Sequence, residues 1–159
     1  MISEMKAGVY ARVSTNEQDM EKQIKELEDY CKRNNYDYEL YADKGISGSK
    51  DNRPEFNRLQ EDIRLGKIDV VICYKIDRLS RSIQHFLHFF EELQNKGVNL
   101  ISITQPIDTT TPSGRLLLQI ISAFSEFERA MIIERVTFGK QRSKKKQGRK
   151  NKNKRIAFS

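Results

Sequence analysis

The apolar residues of the first 105 positions alternate between short runs and longer stretches that contain many charged residues. Four short apolar or half-alternating runs predict β-strands: residues 7–13, 36–43, 69–74 and 99–104. Three longer stretches between the runs predict helices: residues 16–34, 55–66 and 83–97. Strands that alternate with helices predict an α/β fold with a mostly parallel sheet of four to five strands, flanked by helices. In such sheets the reactive crevice lies beyond the carboxyl ends of the strands.

A different pattern follows residue 105. From Gly114 to about Lys146 there is no proline, and apolar residues recur at spacings of three and four. This predicts a helix of roughly thirty residues, well above the mean helix length. Its apolar stripe is long for a domain of this size, so we predict that the helix also forms a dimer interface. Packing on the chain's own sheet is the alternative, and it explains the first three turns better than the last three.

Length and composition fit one water-soluble domain with a core. The chain has 159 residues, of which 37% are hydrophobic and 32% charged. No apolar run approaches the roughly 18 residues of a membrane span. The first ten residues lack a basic segment followed by an apolar block, so we expect no secretion signal. Cys31 and Cys73 are far apart in sequence, which predicts reduced thiols in a cytoplasmic protein.

The net charge of +7 is concentrated at one end of the chain. Residues 140–159 contain ten lysines and arginines and no acidic residue, which leaves the first 139 residues slightly acidic. A solvated end is one interpretation of such a tail. A nucleic-acid-binding arm is the favoured one, because dense positive charge releases counterions from phosphates. We therefore predict an α/β core over residues 1–110, a long helix over 111–147 and a basic tail over 148–159.

Ser14 is the first candidate for chemistry, at the end of the first predicted strand. The sequences STNE and TNEQ both fit a capping box, so on local evidence alone Ser14 and Thr15 are predicted helix caps. No G-x-S-x-G motif supports a serine hydrolase. His85 and His88 are three residues apart in one predicted helix and are interpreted as ordinary helix-face residues. No cluster of acidic or metal-ligating residues stands out, so no metal site is predicted.

Arginine is the other notable residue type near the predicted strand ends. Arg12, Arg53, Arg78 and Arg81 lie in or beside these segments. Arginine keeps its charge at working pH and binds phosphate oxygens in a bidentate manner. Several arginines around one hydroxyl would stabilise the charge that develops in phosphoryl transfer. For each arginine alone, an exposed salt bridge is the simpler interpretation.

Four motifs together resemble the catalytic domain of the serine recombinases, the family of resolvases, DNA invertases and serine integrases. They are YARVSTNEQ, GISGSKDNRP, YKIDRLSRS and SEFERAMIIER, in this order. The resemblance covers about residues 6 to 148. GISG, DRLSRS and DTTTPSG favour the integrase and transposase branch, whereas the spacing from Ser14 to Gln23 fits a small resolvase or invertase equally well.

The resemblance implies a role for each matched residue. Ser14 would attack a DNA phosphodiester and become linked to the 5′ phosphate, with Arg12, Arg78 and Arg81 binding that phosphate. Arg53 would be a further active-site arginine, and Asp77 would orient arginine or help transfer protons. The supporting residues implied by the same motifs are Tyr10, Gln18, Gln23, Asp43, Glu128 and Arg129. Basic residues at the end of the long helix would lie along the DNA minor groove: Lys140, Arg142, Lys144, Lys145, Lys146, Arg149 and Lys150.

The resemblance also implies how the protein would act. Members of the family need no metal or other cofactor, because the phosphoserine bond conserves the energy for religation. They act on double-stranded DNA as homodimers that pair into tetramers. Family members carry a DNA-binding domain after the basic arm, and this sequence shows none, so we expect weak recognition of a specific site. The alternative function is a non-catalytic dimeric α/β module that binds nucleic acid through its basic tail.

Overall fold

The computed structural model describes residues 4–13, 16–45 and 52–157 and confirms the predicted α/β fold. In these residues five strands form one sheet in the order β2-β1-β3-β4-β5. Strands β1 to β4 pair in parallel with one another, and β5 is antiparallel to β4. In chain order the elements are β1 Lys6–Val13, α1 Glu17–Arg33, β2 Asp37–Lys44, α2 Pro54–Arg64, β3 Val70–Cys73, α3 Ile76–Leu79, α4 Ile83–Asn95, β4 Asn99–Ser102, β5 Ile107–Asp108 and α5 Pro112–Ala157.

Three elements differ from the sequence prediction. The two-residue strand β5 and the four-residue helix α3 were not predicted, because neither is long enough to show a hydrophobic period. Helix α5 has 46 residues and continues to Ala157, past the predicted end near Lys146. Gly139 and Gly148 do not end it, since one glycine costs a helix only about 1 kcal/mol relative to alanine.

Helix α1 covers one face of the sheet. Alternate residues of β1 point to this face, and Ala7, Val9 and Ala11 form a buried cluster with Leu27 and Cys31 of α1. The cluster extends to the adjacent strands through Val70, Ile72 and Ile101. The small alanines of β1 therefore lie beneath the helix, and the branched residues of β3 and β4 complete this half of the core.

Helices α2 and α4 provide the apolar side chains of the other half of the core. Phe56 of α2 lies 5.1 Å from Phe89 of α4 and 5.2 Å from Tyr10 of β1, measured between ring centroids. Gly8 allows this packing, because a Cβ atom at that position would lie 2.6 Å from Leu59 Cδ1. Tyr10 thus shares its sheet face with α2, and this determines which helix its hydroxyl can reach.

The chain divides into two compact units, Met1–Gln119 and Ile120–Ser159. The first unit includes the beginning of α5, where Leu118 is completely buried. Gly114 packs closely against β5, since a Cβ atom there would lie 1.9 Å from the carbonyl oxygen of Asp108. In the second unit the large apolar residues of α5 from Phe124 to Phe138 are exposed, and Phe124 and Phe127 have 63% and 62% of their surface accessible.

Candidate active site

Predicted site residues of the first unit lie beyond the carboxyl ends of the parallel strands. Tyr10 and Arg12 are near the end of β1, and Arg12 is paired in register with Asp43 at the end of β2. The segment after β3 carries Arg78 on helix α3 and is followed by Arg81. We call residues 76–81 the arginine segment. The topology brings these strand ends to one edge of the sheet, as predicted.

Asp43 connects β2 to the beginning of α2. Its Oδ1 accepts a hydrogen bond of 3.0 Å from the backbone N–H of Glu55, and its Oδ2 accepts one of 3.0 Å from that of Phe56. Oδ2 also accepts from the Tyr10 hydroxyl at 2.9 Å. The residue at the N-cap position, Arg53, makes no side-chain cap bond. Asp43 therefore caps α2 from a neighbouring strand, and its negative charge favours the helix amino end.

Arg53 lies within the protein and is only 5% exposed. Its Nε donates to the Tyr10 hydroxyl at 3.1 Å, and its Nη2 donates to the carbonyl oxygens of Leu79 at 2.6 Å and Arg78 at 3.4 Å. The guanidinium also lies 4.0 Å from the centroid of the Phe56 ring. The sequence placed Arg53 in a loop among candidate phosphate ligands. In the structure it joins the beginning of α2 to the end of α3, and its contact with phosphate stays a prediction.

Tyr10 lies between Asp43 and Arg53. Burial raises the pKa of its hydroxyl to about 12, and the hydrogen bond from Arg53 only partly opposes this effect. Tyr10 is therefore neutral near pH 7, donating its proton to Asp43 and accepting one from Arg53. In this arrangement the neutral Tyr10 hydroxyl links the side chains of Asp43 and Arg53.

Arg78 and Gln23 each bury a polar atom that has no hydrogen-bond partner among the described residues. These atoms are Nε of Arg78 and Oε1 of Gln23, and both belong to residues that the sequence predicted for the site. A buried polar atom without a partner costs about 1–3 kcal/mol. Such atoms are rare in native proteins, and a bound ligand is one way in which the cost is recovered.

Two side chains from other parts of the first unit contact the arginine segment. Gln105, in the β4–β5 connection, accepts a hydrogen bond of 3.0 Å from the backbone N–H of Ile76. His85 of α4 has its Nδ1 2.8 Å from the Ser80 hydroxyl. Neither contact was predicted from the sequence, and His85 was expected to be only a helix-face residue. One sequence signal pointed to the contact between Ser80 and His85. Ser80 lies between Arg78 and Arg81, two residues before Ser82, which is the N-cap of α4.

Ser14 and Thr15 lie outside the described residues, as does most of the GISGSKDNRP motif. Their predicted role as helix caps is wrong, because Asn16 is the N-cap of α1 and its side chain accepts from the backbone N–H of Gln18. Helix α1 begins at Glu17, one residue after the start that a Thr15 cap requires and two residues after the start that a Ser14 cap requires. Capping therefore no longer explains a serine at position 14.

The remaining predicted residues occupy different environments. In the first unit Arg12 is half-buried, whereas Asp77 and Arg81 are exposed. Gln18 is exposed in the first turn of α1. Glu128 and Arg129 are exposed on α5 in the second unit, and Lys140, Arg142, Lys144, Lys145, Lys146, Arg149 and Lys150 follow on the same helix. No group of three metal-ligating side chains occurs within the described ranges. No helix in that part of the chain is long and apolar enough to cross a membrane.

Comparison with known proteins gives consistent matches. The family model described as the resolvase N-terminal domain matches residues 7–150. A probable DNA-invertase of Sinorhizobium fredii is 39% identical over 136 residues, which are 85% of this chain and 42% of that protein. The DNA-invertase of Escherichia phage P1 is 38% identical over 131 residues, which are 82% of this chain and 66% of that protein. The chain therefore corresponds to only part of the length of each relative.

A solved structure has the same fold. The N-terminal catalytic domain of TP901-1 integrase superposes with a TM-score of 0.71 at 38% sequence identity. The match covers 79% of this chain and 98% of that domain. The similarity thus includes nearly all of a domain that was crystallised separately from the rest of its protein.

Proposed function

Because the chain belongs to the resolvase family through its N-terminal domain, we propose that it is the catalytic domain of a site-specific DNA recombinase. The observation that supports this most directly is Arg78, whose Nε is buried without a hydrogen-bond partner among the described residues. Because this atom is buried in the free protein, a DNA phosphate would supply the missing acceptor once the Arg78 side chain turns towards it. The strand order supports the proposal, because β3, which precedes Arg78, is adjacent to β1, which carries Arg12 and leads into Ser14.

The proposed reaction is a transesterification at a DNA phosphodiester. The Ser14 hydroxyl oxygen attacks phosphorus and loses its proton, and a phosphoserine bond to the 5′ phosphate forms. The bond from phosphorus to the 3′ oxygen breaks, and that oxygen gains a proton. Attack by a 3′ hydroxyl on the phosphoserine reverses the step, so one ester replaces another in both directions. The number of high-energy bonds does not change.

Arginine would stabilise the transition state of this reaction. Negative charge spreads over the equatorial oxygens of the phosphoryl group, and preorganised cations stabilise it without reorganising. Arg12, Arg78 and Arg81 would supply these cations, and Asp77 would orient them. Arg53 would hold the carbonyl oxygens of the arginine segment. Asp43, Tyr10, Gln18 and Gln23 would support the same edge. The roles of Glu128 and Arg129 on α5 rest on the family motif alone.

The second unit would provide both self-association and DNA contact. Its exposed apolar residues follow the helical spacing that a second copy of α5 would cover, so we propose a homodimer that pairs into a tetramer on DNA. The lysines and arginines that follow on the same helix would bind phosphates of double-stranded DNA and release counterions. Such phosphate contacts would give affinity for DNA with little preference for a base sequence.

Covalent capture on DNA tests the proposal. The chain is incubated with supercoiled DNA that carries a candidate crossover site, in EDTA, and the products are denatured and separated. We expect a protein–DNA adduct in the wild type and in Thr15→Ala, which removes the neighbouring hydroxyl, and none in Ser14→Ala. Fusion to a DNA-binding domain raises the occupancy of the site. If the fused wild type forms no adduct, or if the Ser14→Ala variant still forms one, the chain is not a serine recombinase.

A further inference from the structure

The side chains of Ser80 and His85 attach the carboxyl end of the arginine segment to helix α4, and the proposed reaction uses neither of them. Ser80 lies between Arg78 and Arg81 and is only 5% exposed. Its Oγ is 2.8 Å from Nδ1 of His85 and 2.9 Å from the carbonyl oxygen of Ser82. The backbone of the segment is thereby joined, directly before Arg81, to the first turn of α4.

The hydrogen atoms available determine how this contact is made. The Ser80 hydroxyl has one hydrogen and two acceptors nearby, the Ser82 carbonyl oxygen and the imidazole nitrogen. Both contacts are hydrogen bonds only if the hydroxyl donates to Ser82 and Nδ1–H of His85 donates to the hydroxyl. We assign the Nδ1–H form to His85 on this basis. Its role in the contact is therefore that of a hydrogen-bond donor.

His85 is well placed to fix the position of Ser80 because its own backbone is held firmly. Its N–H donates to the side chain of Ser82, the N-cap of α4, at 3.1 Å. The next residue, Phe86, is 2% exposed, and Phe89 is equally buried. The exposed His85 side chain thus extends from the first turn of a helix whose next residue is packed in the core.

We propose that His85 is a positioning residue of the recombination reaction, acting through Ser80 on the orientation of Arg81 and Arg78. This inference rests on the proposed function. His85 contacts neither phosphate nor nucleophile in this role. Removing the contact would let the end of the arginine segment shift, and misplacement by about 1 Å can reduce a rate about a hundredfold.

The chain contains a matched control on the same helix. His88 is one turn further along α4 and is exposed, as His85 is, and its Nε2 lies 3.7 Å from Oε1 of Glu92. It is the same residue type as His85, and its described ion-pair partner lies on its own helix. Substitution of His88 therefore reports how far the cleavage rate, the Kd and the Tm change when a histidine is removed from α4 without loss of the Ser80 contact.

The test compares His85→Leu, His85→Asn and His88→Leu in the full chain, on the DNA that the wild type cleaves. The measurements are the single-turnover rate of adduct formation at saturating DNA, the Kd for DNA and the Tm. We expect His85→Leu to slow cleavage by about tenfold to a hundredfold, with Kd unchanged within about twofold, since affinity depends mainly on phosphate contacts elsewhere. His85→Asn should recover most of the rate, because its Nδ2–H can replace Nδ1–H, and His88→Leu should cleave at the wild-type rate.

The outcomes separate this inference from the proposed function. If the wild type forms an adduct and His85→Leu cleaves as fast as His88→Leu, the positioning role is wrong and the function stands. A rate for His85→Asn as low as that for His85→Leu also overturns the role. If the wild type forms no adduct in any DNA tested, both proposals fail. Should His85→Leu not fold, Ser80→Ala removes the same hydrogen bond from the other side, and a rate equal to the wild type contradicts the proposal.

Discussion

The two units of the chain use similar apolar side chains in opposite ways. In the first unit Leu118 of α5 is completely buried. Two residues later, Ile120 begins the second unit with 56% of its surface exposed, and Phe124 and Phe127 are more exposed still. The spacing of apolar residues is the same along both parts of the helix. A helical hydrophobic stripe therefore indicates that a surface will be covered, without indicating whether the chain itself covers it.

The largest effect expected from this difference is on folding stability. Leu118→Ala should lower the free energy of unfolding by about 2–5 kcal/mol, because it removes buried methyl groups and leaves a cavity. Ile120→Ala, the matched variant on the exposed side of the boundary, should change it by about 0.5 kcal/mol or less at concentrations where the chain is monomeric.

Tyrosine fluorescence during urea unfolding makes this comparison selective. The chain has no tryptophan, and all six tyrosines lie within the first 119 residues. The signal therefore reports the first unit alone. Equal destabilisation by Leu118→Ala and Ile120→Ala would contradict the difference in burial between the two sides of the boundary.

The next effect concerns self-association. Phe127→Glu places a charge in the exposed apolar stripe of the second unit, and we expect it to weaken a homodimer by about tenfold or more, because burying an unpaired charge is costly. Sedimentation equilibrium over a range of concentrations measures the change. Glu128→Gln, one residue away on the same helix, is a matched control that removes a charge, and it should leave the dimer in place. An unchanged dimerisation constant for Phe127→Glu would show that the stripe is not the interface.

The smallest effect is a loss of stability in alkali that is confined to the first unit. Burial raises the pKa of the Cys73 thiol from 9.0 to about 12 and that of Cys31 to about 11. Because both pKa values are raised, the folded state holds these protons more tightly than the unfolded state. Their contribution is complete below pH 9 and is lost as the pH rises towards the folded-state values.

The slope of this loss can be measured. Each thiol should contribute up to about 1.4 kcal/mol per pH unit between its two pKa values. In Cys31→Ala the slope of unfolding free energy against pH between 9 and 10 should be smaller than in the wild type, whatever the absolute stability. An unaltered slope would mean that burial does not raise the pKa of the Cys31 thiol.

Much of the fold was predictable because it depends on local pattern. The helices α1, α2 and α4 show a helical period, and the strands β1 to β4 appear as short apolar or half-alternating runs; the structure confirms all of them. The short elements β5 and α3 depend on neighbours distant in sequence. Residue Ile76 at the start of α3, for example, donates to Gln105, and no pattern within the segment signals that contact.

The candidate site was likewise predictable from the sequence only in part. Its location at the strand ends followed from topology, which the sequence reveals through the order of elements. The hydrogen bonds of Arg53 could not be predicted from the sequence, because its partners Tyr10 and Leu79 are 43 and 26 residues away along the chain. Only the folded chain brings them together, and the same is true of Asp43 as the cap of α2. Sequence motifs thus identified candidate residues, whereas their partners required the structure.

The order of the strands also bears on how the protein avoids aggregation. The two outer strands are β2 and β5, and an unpaired sheet edge can recruit another chain through its free backbone groups. Strand β5 has two residues and offers little length for such pairing. Strand β2 is longer but exposes charged side chains at Asp37, Glu39 and Lys44. Both borders thus discourage strand addition, so concentrated solutions should resist fibril formation even though one helix exposes a long apolar stripe.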